Sequence, residues 1–541
     1  MRLLKTLFFL FSFLSIIYSQ PNGNVYTDSY GLINNQNVGF PFTITQISIP
    51  NDNDALPYYY YVTFDSSIVM HIGGIALSGY SNGELWANGI MTSKRINDYT
   101  AGSVGDTGGK IYYVKNDDPP FGESWQEWSE AVNKGARFYD GDGDGVYNPV
   151  DKNGNGVWDE DEDKPEINGT VTAFSVFNDG VASADRKFTN MEPQGIEIRR
   201  TIWTNTNDPN LSNVFFVRYS VYNSGTIAET LDSVYFGIWN DSDIGNYTDD
   251  LLGSSKDLFT GYTYNFGDDV AFGYNPPAVF TTLVGITENE NYNLIDLSSL
   301  ETAYMQTSFV PGDNVPTEAT QLRNLMRGKL PDGTLIDPCN WSEGTVVNQD
   351  CSSIDASWSY SGNPADSIGW LNNNPMDETS LMSFGPFTIS AGEKVDFTLA
   401  YHFEKGESAL GSVTEGLATA EYIRNNDNVL SAGNENSAIP VKFVLEQNYP
   451  NPFNPTTTIK YSIPSVIARR SGATTRQSHE LTVQLTIFDV LGRKVATLVN
   501  AKQAPGNYKV KFNASNLPSG IYFYRMRAGG FSQAKKMTLL K

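Results

Sequence analysis

Three neighbouring stretches of this chain decide its fold, and they read IEIRRTIW (Ile196–Trp203), NVFFVRYSVY (Asn213–Tyr222) and SVYFGIW (Ser233–Trp239). Each is rich in β-branched and aromatic residues, which are enriched in strands, and each is bounded by Asn, Asp or Gly, which favour turns. Because the connections between them are short, we predict that the three strands follow one another as an antiparallel meander.

The same composition extends through residues 20–430, which form the predicted body. Further strand-like runs are Tyr58–Phe64 and Lys394–His402. Two helices are predicted, one opened by the capping-box pattern Ser124-x-x-Glu127 and one at Ser412–Arg424. The sequence therefore predicts an all-β chain, with a large β-sandwich-like body and few short helices.

The C-terminal hundred residues form a second β-rich unit. The apolar residues from Leu481 to Ile487 alternate with polar ones, which is the period of a strand with one buried face. Further strands are predicted at 494–498, 508–512 and 521–526, with turns between them. Several short strands in a segment of this length favour a small β-sandwich.

Three ordered motifs in this unit resemble those of a known family. They are NYPNPFNP (Asn448–Pro455), IFDVLGR (Ile487–Arg493) and LPSGIYFY (Leu517–Tyr524), the last followed by Lys535-Lys536. Residues 441–541 therefore resemble the type A C-terminal sorting domain of the bacterial type IX secretion system. The resemblance implies an immunoglobulin-like β-sandwich, handling by the type IX secretion machinery, and export to the outer cell surface or the medium.

Charge separates this unit from the rest of the chain. From residue 440 onward there are 15 Lys or Arg residues against 3 Asp or Glu residues, whereas the preceding residues hold 22 basic and 58 acidic ones. A basic module on an acidic body is consistent with a segment that separate machinery recognises. Because the acidic body would repel polyanions, no nucleic-acid partner is expected.

The N-terminus has the pattern of a signal peptide. Arg2 and Lys5 precede an apolar run from Leu7 to Ile17, and the small residue Ser19 stands at a plausible cleavage position. This pattern predicts a signal peptide over residues 1–19. The run is too short for an ordinary membrane span, so no transmembrane segment is expected in the mature chain. Residues 431–440, in a stretch rich in Asn, Ser and Gly, are the predicted linker before the sorting domain.

The chain has two cysteines, Cys339 and Cys351. In an exported protein, thiols this close in sequence are expected to form a disulfide that closes one local loop. A pair of free thiols is the alternative.

Residues 140–163 are the most distinctive segment of the body, with nine carboxylates and a single basic residue, Lys152. Two tandem matches to the calcium-loop pattern lie here. The ligands predicted for positions 1, 3, 5, 7, 9 and 12 of the first loop are Asp140, Asp142, Asp144, Val146, Asn148 and Asp151. The ligands predicted for the same positions of the second loop are Asp151, Asn153, Asn155, Val157, Asp159 and Glu162.

This spacing has a mechanical cause. Oxygens at positions 1, 3 and 5 converge when the backbone curls around a hard cation, and glycine at position 6 permits the sharp turn. The backbone carbonyl at position 7 and the acid at position 12 complete about seven oxygen ligands, a large and flexible set that favours Ca²⁺ over Mg²⁺. Because the loops share Asp151 and leave no room for a helix between them, they resemble the calcium loops of thrombospondin type 3 repeats. A solvated acidic hairpin without an ion is the alternative.

Two further patterns have local interpretations. Asp241, Asp243, Asp249 and Asp250 form a second acidic group without calcium-loop spacing, which is either a polar turn or a second ion or ligand site. The segment Gly79–Gly83 matches the G-x-S-x-G pattern of serine hydrolases, but the residues after it predict a turn and a strand where that pattern needs a helix.

These features predict a secreted or cell-surface, calcium-stabilised protein without enzymatic activity, with a structural or adhesive role. Its expected partners are the type IX secretion machinery and, beyond it, surface glycans or other surface proteins. A carbohydrate-binding protein is one alternative, because the body is rich in tryptophan. A secreted glycoside hydrolase is another, because two catalytic carboxylates on distant strands leave no local pattern in the sequence.

Overall fold

The computed structural model describes residues 24–541 apart from residues 36, 48–60, 92–97, 107, 206–207, 289–292, 309–315, 426–443, 446, 449, 464–480, 504–505 and 529–530. The predicted signal peptide and the predicted linker lie outside the described residues, and so do the first three residues of the predicted strand Tyr58–Phe64.

Nine strands of the described chain precede the first helix. They are β1 (Val25–Tyr26), β2 (Tyr30–Asn35), β3 (Val38–Thr43), β4 (Val62–Phe64), β5 (Ser67–Met70), β6 (Ile72–Ser81), β7 (Glu84–Gly89), β8 (Thr100–Ala101) and β9 (Tyr112–Lys115). Helix α1 (Glu123–Asn133) follows. Two short strands, β10 (Phe138–Tyr139) and β11 (Lys164–Pro165), then enclose the acidic segment.

The rest of the body is built mainly from longer strands and two helices. The strands are β12 (Val171–Asn178), β13 (Ile196–Thr204), β14 (Val214–Asn223), β15 (Thr230–Asp241), β16 (Asp250–Ser255), β17 (Thr260–Asn265), β18 (Ala278–Glu288), β19 (Asn293–Leu294), β20 (Glu301–Gln306), β21 (Gly344–Val347), β22 (Gly369–Asn372), β23 (Thr379–Ser390) and β24 (Lys394–Glu404). The helices are α2 (Ala319–Met326) and α3 (Ala409–Asn425).

The body consists of two layers of antiparallel sheet. One layer has the strand order β16-β17-β18-β24-β14-β13-β12-β8, with β9 also paired to β12 and β19 to β18. The other layer contains the sheets β20-β23-β15-β6-β7 and β1-β2-β3-β4-β5, which meet where the Ile47 N–H donates to the Gly73 carbonyl at 3.0 Å. This arrangement is a large β-sandwich, as predicted.

Aromatic side chains from both layers fill the space between them. Phe236 of β15 and Phe397 of β24 stack with their ring centroids 4.1 Å apart, and Phe40 of β3 stacks on Phe215 of β14 at 4.6 Å. All four side chains are fully buried. Burial of such rings removes a large apolar area from water and is the main stabilising term of a sandwich core.

The predicted three-stranded meander is correct for its first two strands and wrong for the third. Strands β13 and β14 pair from Ile196↔Asn223 to Thr204↔Phe215. The free edge of β14 is taken by β24, so the chain crosses after Asn223 and β15 pairs with β23 and β6 in the facing layer. Both faces of these strands are buried, and the sequence pattern therefore did not reveal which layer each strand joins.

The predicted helices exist, but the first one begins differently. Helix α1 has Gly122 as its N-cap and no side-chain cap, so the Ser124–Glu127 capping box does not form. A turn in which the Gly122 N–H donates to the Pro119 carbonyl starts the helix early and places Ser124 inside it. The second predicted helix is α3, and α2 was not predicted.

The C-terminal unit is a smaller two-sheet sandwich with its own apolar core. Its strands are β25 (Val444–Leu445), β26 (Thr456–Ile463), β27 (Leu481–Phe488), β28 (Lys494–Gln503), β29 (Gly506–Asn513), β30 (Gly520–Ala528) and β31 (Phe531–Leu539). The sheets have the orders β25-β26-β29 and β28-β27-β30-β31. Val483, Leu485 and Ile487 are fully buried, as their alternation predicts.

The predicted disulfide is present. Cys339 and Cys351 are bonded, with their Cα atoms 5.2 Å apart, and they close a loop between α2 and β22. Such a cross-link stabilises the fold mainly by restricting the unfolded chain.

Candidate metal centre

The acidic segment is held at its two ends by a short ladder. Strand β10 pairs with β11 through Phe138↔Pro165 and Tyr139↔Lys164, so residues 140–163 form one closed excursion from the body. The excursion has no regular secondary structure and is composed of bends and turns. Its shape must therefore come from hydrogen bonds between its own side chains and backbone.

In the first loop, the carboxylate of Asp140 organises the curl. Asp140 accepts hydrogen bonds from the Gly143 N–H at 2.7 Å and from the Gly145 N–H at 2.9 Å. Asp144 in turn accepts from the Val146 N–H at 2.7 Å. One carboxylate oxygen from each of Asp140, Asp142 and Asp144 lies within 4.8 Å of the other two. The side chains at positions 1, 3 and 5 thus converge, as the spacing predicts.

The second loop has the same hydrogen bonds at the equivalent positions. Asp151 accepts from the Gly154 N–H at 2.6 Å and from the Gly156 N–H at 2.7 Å, and Asn155 accepts from the Val157 N–H at 2.7 Å. The amides of Asn153 and Asn155 both donate to Asp159, at 2.7 and 2.9 Å. Positions 3, 5 and 9 are therefore in contact.

Glycine is required at two equivalent places in each loop. The φ angles are +76° and +77° at Gly143 and Gly145, and +74° and +73° at Gly154 and Gly156. These values lie in the left-handed region, which a residue with a Cβ enters at an energetic cost. Agreement to within a few degrees indicates that both loops adopt one conformation.

Two adjacent acids close the two loops, each by accepting hydrogen bonds from two backbone N–H groups of one loop. Glu162 accepts from the backbone N–H groups of Lys152 and Asp159, at 2.6 and 2.9 Å. Asp163 accepts from those of Gly141 and Asn148, at 3.0 and 2.7 Å. Since these donors stand at positions 2 and 9 of their loops in both cases, Asp163 has in the first loop the role that Glu162 has in the second.

The sequence interpretation missed Asp163. It assigned the closing role in the first loop to Asp151, whose two oxygens both accept from backbone groups of the second loop. The available signal was that Glu162 and Asp163 are adjacent, so that each of two neighbouring acids can serve one loop. Both side chains are buried. A Cβ at Gly141 would lie 2.3 Å from the Glu162 carbonyl oxygen, so the first loop folds back tightly onto this pair.

The other predicted ligands are half-buried or exposed. Val146 and Val157 expose their side chains, as expected of residues that contribute only a backbone carbonyl. Lys152 donates to Asp142 at 3.1 Å and to the Asp161 carbonyl, and its hydrogen bond lowers the pKa of Asp142. Donation from backbone N–H groups, that of Gly156 first, lowers the pKa of Asp151. Both carboxylates are therefore ionised at neutral pH.

Aromatic residues at position 8 attach each loop to the body. The Tyr147 hydroxyl donates to the Trp125 carbonyl of α1 at 2.8 Å, and its ring packs on Phe138 at a centroid distance of 5.2 Å. Trp158 packs on Tyr139 at 5.4 Å, and Lys164 Nζ lies 3.7 Å from the Trp158 ring centroid. The aromatic side chains at position 8 thus hold both loops against the body, without helices on either side of each loop.

A buried ion network anchors the base of the excursion to the large sheet. Arg218 of β14 donates to both oxygens of Glu166, at 2.9 and 2.5 Å, directly after β11. Arg137, directly before β10, donates to Asp396 of β24 at 2.5 Å and lies 3.8 Å from Glu166. Burial alone would raise the pKa of Glu166, but Arg218 and Arg137 hold it below its ordinary value. The two ends of the excursion are thereby fixed to neighbouring strands.

The G-x-S-x-G match at Gly79–Gly83 lies in a β-hairpin. Ser81 ends β6, and Asn82 and Gly83 form a two-residue hairpin turn into β7 with φ angles of +52° and +84°. That is the turn predicted for this stretch, and no helix follows it. The tryptophans whose number prompted the carbohydrate alternative are mostly in the core: the buried ones are Trp86, Trp125, Trp128, Trp203, Trp239, Trp358 and Trp370.

Comparison with known proteins identifies the C-terminal unit. Residues 447–539 match the family described as Secretion system C-terminal sorting domain. This is the type IX sorting domain that the motifs predicted, and it indicates that the protein is exported to the cell surface or secreted. None of the described helices is long and apolar enough to cross a membrane.

Two solved structures align with the chain only weakly. No curated protein matches the chain. A polysaccharide lyase structure aligns at 6% identity and a TM-score of 0.16, over 63% of this chain and only about a third, 34%, of the lyase. The adhesin domain of Epf from Streptococcus pyogenes aligns at 8% identity and a TM-score of 0.13, over 69% of this chain and 92% of that domain. At such low scores neither likeness bears on function.

The position of Asp163 gives a testable prediction. Under the hypothesis that each loop binds one calcium ion, the change Asp163→Asn should reduce the number of ions bound per chain from two to one, because the first loop loses the charge of its closing carboxylate. The measurement is isothermal titration calorimetry with the metal-free protein. Asp161→Asn is the matched control, since this exposed carboxylate makes no contact that closes either loop. Equal stoichiometry in the two variants would contradict the role of Asp163.

The ion network gives a second prediction. The change Glu166→Gln should destabilise the body by about 3–5 kcal/mol at neutral pH, because it leaves Arg218 buried without its partner charge. The pKa of Glu166 in the folded protein lies below its ordinary value of 4.5. The difference in the free energy of unfolding between the variant and the unmodified protein should therefore be constant above pH 4.5 and shrink as the pH falls further. Urea unfolding as a function of pH measures this. The change Glu127→Gln, at an exposed residue, is the control. An equally small loss of stability in both variants would contradict the role of Glu166 in the ion network.

Proposed function

We propose that the chain is a calcium-stabilised β-sandwich protein that is exported by the type IX machinery and has a structural or adhesive role outside the cell. The observation that carries the calcium part is the repetition of one loop conformation, each copy closed by its own buried acid, Asp163 or Glu162. The sorting domain supplies the location. The adhesive or structural role rests on the large sandwich and on the burial of seven of the nine tryptophans, the residues that prompted the carbohydrate alternative.

The ion is expected to be structural. Extracellular calcium modules bind weakly, with dissociation constants of about 10⁻⁴–10⁻³ M, and such sites are filled in a calcium-rich medium. In the cell, where free calcium is low, the loops would remain open through repulsion between their carboxylates. Calcium would then complete the body only after export, which suits a protein that crosses two membranes before it functions.

Removal of calcium should destabilise the body. For dissociation constants in that range, about 10 mM Ca²⁺ would contribute about 1.4–2.7 kcal/mol for each occupied site. We expect EDTA to lower the melting temperature by several degrees, and the double change Asp142→Ala with Asn153→Ala to give the same loss in calcium. The measurement is differential scanning calorimetry of the purified body.

The double variant also provides its own control. In EDTA it should melt at the same temperature as the unmodified protein, because neither then holds an ion. A melting temperature that does not respond to chelator in the unmodified protein would refute calcium stabilisation.

Export should depend on the C-terminal unit alone. Deletion of residues 439–541 should retain the chain in the periplasm, because the secretion machinery no longer recognises it. The measurement is protease accessibility on intact cells together with fractionation. The Asp142→Ala and Asn153→Ala variant, which keeps the sorting domain, is the control and should still reach the outer face. Surface exposure of the truncated chain would contradict this dependence.

A further inference from the structure

A second set of metal-ligating side chains meets at one end of the sheet β23-β15-β6. Asp241, the last residue of β15, lies between Thr379 of β23 and Ile72 of β6 in the strand register. His71 directly precedes β6, and Asp377 lies two residues before β23. Three adjacent strands therefore bring an imidazole and several carboxylates to the same edge, although they are more than 300 positions apart in sequence.

The ligand atoms of this set are close together. His71 Nδ1 lies 3.5 Å from Asp241 Oδ2 and 3.7 Å from Asp243 Oδ2, and all three atoms are within 4.8 Å of one another. The backbone N–H of His71 donates to the Asp241 carbonyl at 2.9 Å, which fixes the two residues against each other. The ring of Tyr61 packs edge-on against the imidazole at 4.9 Å.

The charges in this set lack a balancing cation in the described part of the chain. Within it, neither Lys nor Arg forms an ion pair with Asp241, Asp243 or Asp377. The Asp241 side chain is only 13% exposed.

We propose that His71, Asp241 and Asp243 bind one divalent transition-metal ion, for which Zn²⁺ is the best fit. Zinc accepts one imidazole nitrogen and carboxylate oxygens at about 2.0–2.2 Å in a tetrahedral arrangement, which places neighbouring ligand atoms about 3.3–3.5 Å apart. The observed separations of 3.5 and 3.7 Å need little adjustment to reach that geometry. The ion would supply the positive charge that the two carboxylates lack.

The ligand chemistry distinguishes this site from the double loop. Calcium favours six to eight oxygens, and the double loop offers only oxygens. An imidazole nitrogen with few carboxylates favours a borderline ion such as zinc. The His71 side chain is 35% exposed, which leaves the fourth position open to water or to the nearby Asp377. The body would therefore hold two kinds of ion at separate places.

Zinc titration in the presence of saturating calcium tests the proposal. The full-length mature protein is freed of metal, brought to millimolar CaCl₂ to fill the double loop, and titrated with ZnCl₂ in a calorimeter. One zinc ion should bind per chain. His71→Gln and Asp241→Asn should each weaken this binding by at least about tenfold, since even partners outside the ligand shell have effects of that size.

Two control variants test whether the loss of zinc binding is specific to the proposed ligands. His479→Gln and Asp161→Asn, which remove an imidazole and an exposed carboxylate elsewhere in the sequence, should leave zinc affinity unchanged. Melting curves without zinc verify that each variant is folded, and zinc should raise the melting temperature of the unmodified protein but not that of His71→Gln. Absence of zinc binding, or equal affinity in His71→Gln and His479→Gln, would overturn the proposal.

Discussion

The negative charge of residues 140–163 is the constraint that shapes the region around it. Nine carboxylates in this segment stand with a single lysine, and the fold brings those of Asp140, Asp142 and Asp144 together at one point. Backbone N–H groups of five glycines and of their neighbours hold the two loops in shape by donating to Asp140, Asp151, Glu162 and Asp163. The result is two loops of one geometry, which we propose are filled by calcium.

The body provides a rigid support for those cradles. The ladder β10–β11 closes the excursion, aromatic residues at position 8 attach each loop, and the pair Arg218–Glu166 connects its base to the centre of the large sheet. An ion in the double loop would therefore stabilise the large sheet to which the excursion is anchored. The proposed calcium binding is compatible with export, because the sorting domain delivers the chain to the outside of the cell.

Features of the fold and of the candidate site could be predicted from the sequence where the signal was local. The alternation at Leu481–Ile487, the disulfide and the convergence of Asp140, Asp142 and Asp144 depend on neighbours in sequence, and all were found. One local prediction, the capping box at Ser124–Glu127, was wrong. Other predictions failed because they depend on long-range partners. The layer of β15 was decided by β24 occupying the edge of β14, and the meeting of His71 with Asp241 requires the strand register of a sheet. Asp163 was missed because position counting followed one loop at a time.

Anomalous diffraction from crystals of the body grown in millimolar Ca²⁺ tests calcium binding most directly. Two peaks are expected, one enclosed by Asp140, Asp142, Asp144 and Asp163 and the other by Asp151, Asn153, Asn155 and Glu162. Each should lie about 2.3–2.6 Å from its oxygens. Carboxylates turned into solvent with no anomalous density between them would contradict calcium binding by the double loop.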